Sequence, residues 1–114
     1  GYTMHQIALP IRVMHMLGVQ HLLVSNAAGN VNLSWRKGEL MLLEDHINLQ
    51  PNNPLRGENF EFFGERFPDM SEPYAKALNK KLLRIAKKEK IKLHTGVYAA
   101  VQGPSLETRA EYRY

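Results

Sequence analysis

A chain of 114 residues, 44% hydrophobic and 23% charged, has the make-up of one ordinary soluble globular domain that can bury a core. It contains no cysteine, which excludes disulfides, thiolate metal sites and cysteine nucleophiles. No apolar run approaches a membrane span and no signal-peptide pattern opens the chain, so the cytoplasm is the expected compartment; the net charge of +4 matters through its distribution more than its sum.

The chain opens on Gly1 without a start methionine and reads as an internal piece of a longer protein. From Ile7 to Leu17 the apolar residues Ile7, Ile11, Val13, Met14, Met16 and Leu17 recur at helical spacing, which predicts a helix with one face on a sheet. Pro10 suits the first turn of that helix better than its middle, and Gly18 suits its C-terminal cap. His15 and His21 read as surface or core-edge residues, since no second ligand stands at metal spacing.

His21 to Ser25 is a short apolar run that predicts a strand, stopping at Asn26-Ala-Ala-Gly-Asn30. Open α/β sheets place ligands at such carboxyl ends, and two alanines with a glycine leave backbone N–H groups open to an anion. The plain alternative is a tight turn and nothing more. Trp35 in the next loop reads as an anchor. Glu39 to Leu49 predicts a second strand, ending in Glu44-Asp45-His46, whose polar groups are expected to satisfy loop backbone in preference to binding a metal.

Residues 50–70 form a long irregular segment with four phenylalanines, Phe60, Phe62, Phe63 and Phe67. So many rings argue against disorder and for a binding loop. Ser71 with Pro73 predicts the start of a helix over 74–89, with Tyr74, Ala77, Leu78, Leu82, Ile85 and Ala86 inward. Its other face carries the lysines between Lys76 and Lys92. That face reads as solvated and basic; a nucleic-acid footprint is the alternative, though no interleaved aromatics accompany it. Leu93 to Val101 predicts a third strand, running into Gly103-Pro-Ser-Leu-Glu-Thr108 and a helix start at Glu107 to Tyr114, with Ser105 as its cap and no full capping box.

Five segments stand here in order: Ser25-Asn-Ala-Ala-Gly29, Asp45-His-Ile-Asn-Leu49, Asn53-Pro-Leu-Arg-Gly57, Phe63-Gly-Glu-Arg-Phe-Pro68 and Gly103-Pro-Ser-Leu-Glu-Thr108. Together they closely resemble the trimeric purine nucleoside phosphorylases across nearly the whole chain. The resemblance implies a three-layer α/β/α sandwich around a mixed, partly barrel-like sheet. Residues 1–114 would be the central part of one phosphorylase domain, in a homotrimer. It implies phosphorolysis of inosine or guanosine to free base and ribose 1-phosphate, with inorganic phosphate as co-substrate and no cofactor, metal, nucleic acid or membrane partner.

By the same resemblance the Ala27 backbone N–H binds phosphate, Ala28 and Gly29 line the nucleoside pocket, and Glu107 reads the purine. A carboxylate there accepts from N1–H and the 2-amino group of a 6-oxopurine, whereas adenine offers no N1–H, which speaks against 5′-methylthioadenosine phosphorylase, the rival within the fold. Tyr98 and Val101 flank the base, and Phe67 reaches the neighbouring subunit's ribose. Leu106 departs from the phenylalanine of many members, keeping an apolar contact without aromatic geometry. The family's other phosphate, N7 and ribose contacts fall outside these residues, so the piece alone is not expected to complete the reaction.

Overall fold

The computed structural model describes residues 1–114. In chain order it holds helix α1 (Met4–Met16), strand β1 (Leu40–Asn48), a 3₁₀ turn at Glu61–Phe63, helix α2 (Lys76–Lys88), strand β2 (Leu93–Ala100) and a 3₁₀ turn at Glu111–Arg113. Two compact units account for the chain. One comprises Gly1–Ala28 with Pro51–Pro68, the other Gly29–Gln50 with Asp69–Tyr114.

In the first unit, α1 begins three residues before the predicted Ile7. Thr3 caps it through a full capping box, its Oγ1 accepting from Gln6 N–H at 3.3 Å while Gln6 Oε1 accepts from Thr3 N–H at 2.8 Å. Gly18 at φ 80° closes it in a Schellman arrangement: Gly18 N–H donates to His15 C=O at 2.9 Å and Val19 N–H to Met14 C=O at 3.0 Å. Strong signals at both ends explain why Pro10 is tolerated in the helix interior, against the expectation that it would sit in the first turn. Its apolar residues Ile7, Ile11 and Met16 are not buried within this unit, being 54%, 46% and 65% exposed.

Nor do residues 21–25 form the predicted strand. A strand exists only through ladder hydrogen bonds, and the one sheet of the structure joins β1 to β2 alone. The long aromatic segment does find partners within its unit. Phe62 and Phe63 meet edge to face at 5.2 Å, His15 stands 6.0–6.1 Å from both, and the Arg12 guanidinium lies over Phe60 and Phe63 at 5.6 and 5.2 Å.

The second unit is a β–α–β arrangement. The strands pair in parallel from Leu40↔Leu93 to Asn48↔Ala100, with α2 in the crossover between them. Between Leu43 and Asp45 the register slips by one residue, leaving Glu44 as a bulge. Asn79 of α2 meets this break: its Nδ2 donates to Leu43 C=O at 2.9 Å. Leu78 and Leu82 of α2, with Tyr74 just before it, are half-buried and Ala86 is the most buried residue of the chain, whereas Ala77 and Ile85 of the predicted stripe are exposed. The expected sizeable core is therefore reduced to this seam.

Ser71 does not cap α2. The helix starts at Lys76 without a side-chain cap, because Asp69 holds Ser71 in a turn through its N–H at 2.8 Å and hydroxyl at 2.9 Å. At the other end Ile91 N–H donates to Ala86 C=O at 2.8 Å, placing Lys90 in the left-handed region at φ 56°. Glycine adopts that backbone freely, so Lys90→Gly is expected to stabilise the fold by about 1 kcal/mol in urea unfolding.

Candidate functional site

The predicted site residues fall on both units. Ala27, Ala28 and Phe67 belong to the first, while Gly29, Tyr98, Val101, Leu106 and Glu107 belong to the second. Ala27, Ala28 and Gly29 are exposed. Phe67 is 85% exposed and unlike Phe62 and Phe63 takes no part in a ring pair; Arg66 stands beside it, its guanidinium 5.9 Å from the ring and donating to Leu55 C=O at 2.7 Å.

In the second unit, β2 carries Tyr98 near its carboxyl end and delivers the chain to Val101, both half-buried. The ends of the two strands are tied beyond the sheet: Leu49 N–H donates to Ala100 C=O at 2.9 Å, and the Gln50 side-chain amide donates to Val101 C=O. Leu106 and Glu107 follow on the turn after β2, exposed, and Tyr112 Oη donates to Glu107 Oε2 at 3.4 Å. The helix expected over 107–114 is not formed, and only the 3₁₀ turn at Glu111–Arg113 stands there. Thr108 and Glu111 exchange two hydrogen bonds, Glu111 Oε2 accepting from Thr108 N–H and Thr108 Oγ1 from Glu111 N–H at 3.3 Å, beside the 3₁₀ turn. Glu107 therefore precedes the turn, with its carboxylate turned to Tyr112.

The acid–acid–histidine cluster lies within β1 and does not satisfy loop backbone as expected: Asp45 Oδ1 accepts from the adjacent strand residue His46 N–H at 2.8 Å, and His46 Nδ1 lies 3.2 Å from Tyr74 Oη. Burial, with Asp45 and Tyr98 nearby, pushes the Tyr74 phenol up, so it remains a donor at neutral pH. A concavity of about 330 Å³ between α2, β1 and the Ser71–Tyr74 turn is lined by none of the predicted site residues. Of the basic face, Lys76 pairs with Glu72 at 2.9 Å and Lys92 with Glu39 at 2.7 Å.

Glu39 is the feature that sequence reasoning missed. Its Oε1 accepts from Lys92 Nζ at 2.7 Å, and its Oε2 from Arg36 N–H at 3.0 Å and from His94 Nε2 at 2.7 Å. The Lys92 ammonium first, then Arg36 N–H and His94, hold its carboxyl at about 2, below the usual 4.5. A depressed carboxylate stabilises the fold above the unfolded value and loses that contribution as pH falls from about 4.5 towards 2. Unfolding midpoints between pH 6 and pH 2.5 are expected to fall less steeply in Glu39→Gln than in the parent. Trp35 completes the cluster, its ring stacked on His94 at 4.2 Å and 12°, the loop anchor its position suggested.

Parallel strands joined through an intervening helix, as β1, α2 and β2 are, form a building unit of α/β folds. The family model of the Phosphorylase superfamily matches residues 1–114, and the chain belongs to that family. It is 52% identical over all 114 residues to purine nucleoside phosphorylase 1 of Bacillus subtilis (strain 168), covering 42% of that protein. Among solved structures, a Schistosoma mansoni purine nucleoside phosphorylase with a monocyclic inhibitor superposes with a TM-score of 0.93 at 45% identity, over 99% of this chain and 44% of that one. A Schistosoma purine nucleoside phosphorylase in complex with guanosine gives 0.89 at 43%, over 97% of this chain and 47% of that one. The chain thus spans about two fifths of the length of the curated relatives it matches. The apolar surfaces of α1 and residues 22–24 are left uncovered by this share of the phosphorylase fold.

Proposed function

We propose that the protein carrying this chain is a purine nucleoside phosphorylase that converts inosine or guanosine and phosphate to the free base and ribose 1-phosphate. The observation that carries this reading is the agreement of chain and backbone with such enzymes over essentially the whole of the 114 residues. In this reading Ala27 N–H donates to phosphate, Ala28 and Gly29 admit the nucleoside, and Tyr98, Val101 and Leu106 contact the base. Glu107 accepts from N1–H, and Phe67 closes over the ribose of a neighbouring subunit in a homotrimer. Its exposure and lack of a ring partner suit that role.

The chemistry is electrostatic. As the glycosidic bond loosens, positive charge develops on the ribose and negative charge on the departing purine; phosphate stabilises the first, and fixed hydrogen-bond donors of the full site the second. Glu107 sets which purine is held in place for this step. Inorganic phosphate serves as co-substrate and no cofactor is assigned; purine salvage in the cytoplasm is the proposed setting. The 114-residue piece holds one phosphate contact and one base contact, and is proposed to be inactive alone. Release of hypoxanthine from inosine by the full-length protein tests the reading: it should require phosphate and yield ribose 1-phosphate, and release that proceeds equally without phosphate would refute it.

A further inference from the structure

We propose that Glu39, Trp35 and His94 form a clasp that holds the Gly29–Asn30 turn in place for nucleoside binding, making all three positioning residues for the reaction. The inference rests on the role given above to Gly29, and it adds residues that lie outside the turn itself.

The link is continuous from residue to residue. Asn30 folds the loop back on itself: its Oδ1 accepts from Asn32 N–H at 2.9 Å, and its Nδ2 donates to Asn32 C=O at 2.9 Å and to Trp35 C=O at 3.3 Å. Trp35 N–H donates in turn to Asn32 C=O at 3.0 Å. The stretch from Asn30 to Trp35 is thereby a closed loop, and Gly29 is its next covalent neighbour. Trp35 then fixes this loop to β2 by stacking on His94. Gly96 leaves room beside the stack, since a Cβ there would stand 3.5 Å from the indole and 2.9 Å from Met41 Sδ. Glu39 secures both partners. It accepts from His94 Nε2, which fixes the imidazole plane that Trp35 needs, and from Arg36 N–H, which fixes the backbone directly after Trp35.

A structural ion pair alone would need neither the stacked ring nor the Asn30 closure. Side chains of Glu39 and His94 are each 16% exposed, so the pair is shielded enough to hold one geometry. The strand that receives the clasp at His94, with Lys92 just before it, also carries Tyr98 and leads to Val101 and Glu107. One rigid strand therefore references both the turn and the base-reading residues of this unit.

The test uses the full-length protein, comparing Glu39→Gln, Trp35→Ala and Trp35→Phe with Lys88→Ala as a surface control. Inosine phosphorolysis and amide hydrogen exchange over residues 29–36 are both measured. Glu39→Gln and Trp35→Ala are expected to raise KM for inosine at least about fivefold with kcat changed less than about twofold, as loss of ground-state positioning requires. Exchange over 29–36 should rise at least about tenfold in both. Trp35→Phe, which keeps a ring over His94, should restore KM and exchange to within about twofold of the parent, a rescue that volume loss alone does not predict. Unchanged exchange over 29–36 in Trp35→Ala would overturn the clasp, and raised exchange with unchanged KM would overturn its role in binding. Absence of phosphorolysis in the parent would instead refute the proposed function, while the exchange measurement would still judge the clasp.

Discussion

Glu107→Ala is expected to lower kcat/KM for inosine about 10–10²-fold and for guanosine about 10²–10⁴-fold, leaving the rate on adenosine, already low, no worse. The inequality follows from counting bonds. Inosine offers the carboxylate only N1–H, whereas guanosine offers N1–H and the 2-amino group, and a hydrogen bond to a charged group contributes about 1.5–3 kcal/mol. Adenosine offers neither at N1, so it loses nothing when the carboxylate goes. Because Glu107 lies on the exposed turn after β2, its removal leaves no cavity and the fold should be unaffected. Steady-state kinetics on the three nucleosides checks the order of the losses; equal losses on inosine and adenosine would contradict the assignment of Glu107 to N1–H.

Pro10→Ala should give the largest gain in stability. Pro10 stands in the interior of α1, where its ring nitrogen cannot donate to the carbonyl of Gln6 and where proline costs about 3 kcal/mol relative to alanine. Its side chain is exposed, so little packing within this unit is lost with the ring. Denaturant unfolding of the full-length protein is expected to show a gain of about 2–3 kcal/mol for Pro10→Ala, and about 1 kcal/mol less for Pro10→Gly because glycine lacks helix propensity. A neutral Pro10→Ala would mean that the proline serves a bend in α1 whose loss offsets the recovered hydrogen bond.

What the sequence disclosed and what it withheld divide along range. The strands at Leu40–Asn48 and Leu93–Ala100 were legible because their apolar runs are bounded by glycines and polar turns. Gly18 was legible as a cap, since only glycine takes that backbone freely. Helix starts are less so: Ser71 is bound by Asp69, two residues away, and the Thr3–Gln6 capping box lies ahead of the first apolar repeat at Ile7. Residues 21–25 show the limit of pattern. Their composition suits a strand, but a strand is defined by its partner, and no ladder in this structure supplies one.

The site divides in the same way. The Asn-Ala-Ala-Gly turn and the Gly-Pro-Ser-Leu-Glu-Thr segment stood out as contiguous motifs. Glu39, a lone acid before a strand, carried no local signal, because its Lys92 and His94 partners lie 53 and 55 residues along the chain. Gln50 was silent for the same reason, its partner Val101 being 51 residues away. Only its position just past a strand end hinted that its amide was free to tie down a neighbour.

The most direct measurement of the central claim is the initial rate of phosphate-dependent base release by the full-length protein from inosine and adenosine, side by side. A site built on the Glu107 carboxylate predicts that inosine is used at least about 10²-fold faster, because adenine leaves that acceptor unpaired. Equal rates on the two nucleosides, or no turnover of inosine, would contradict it.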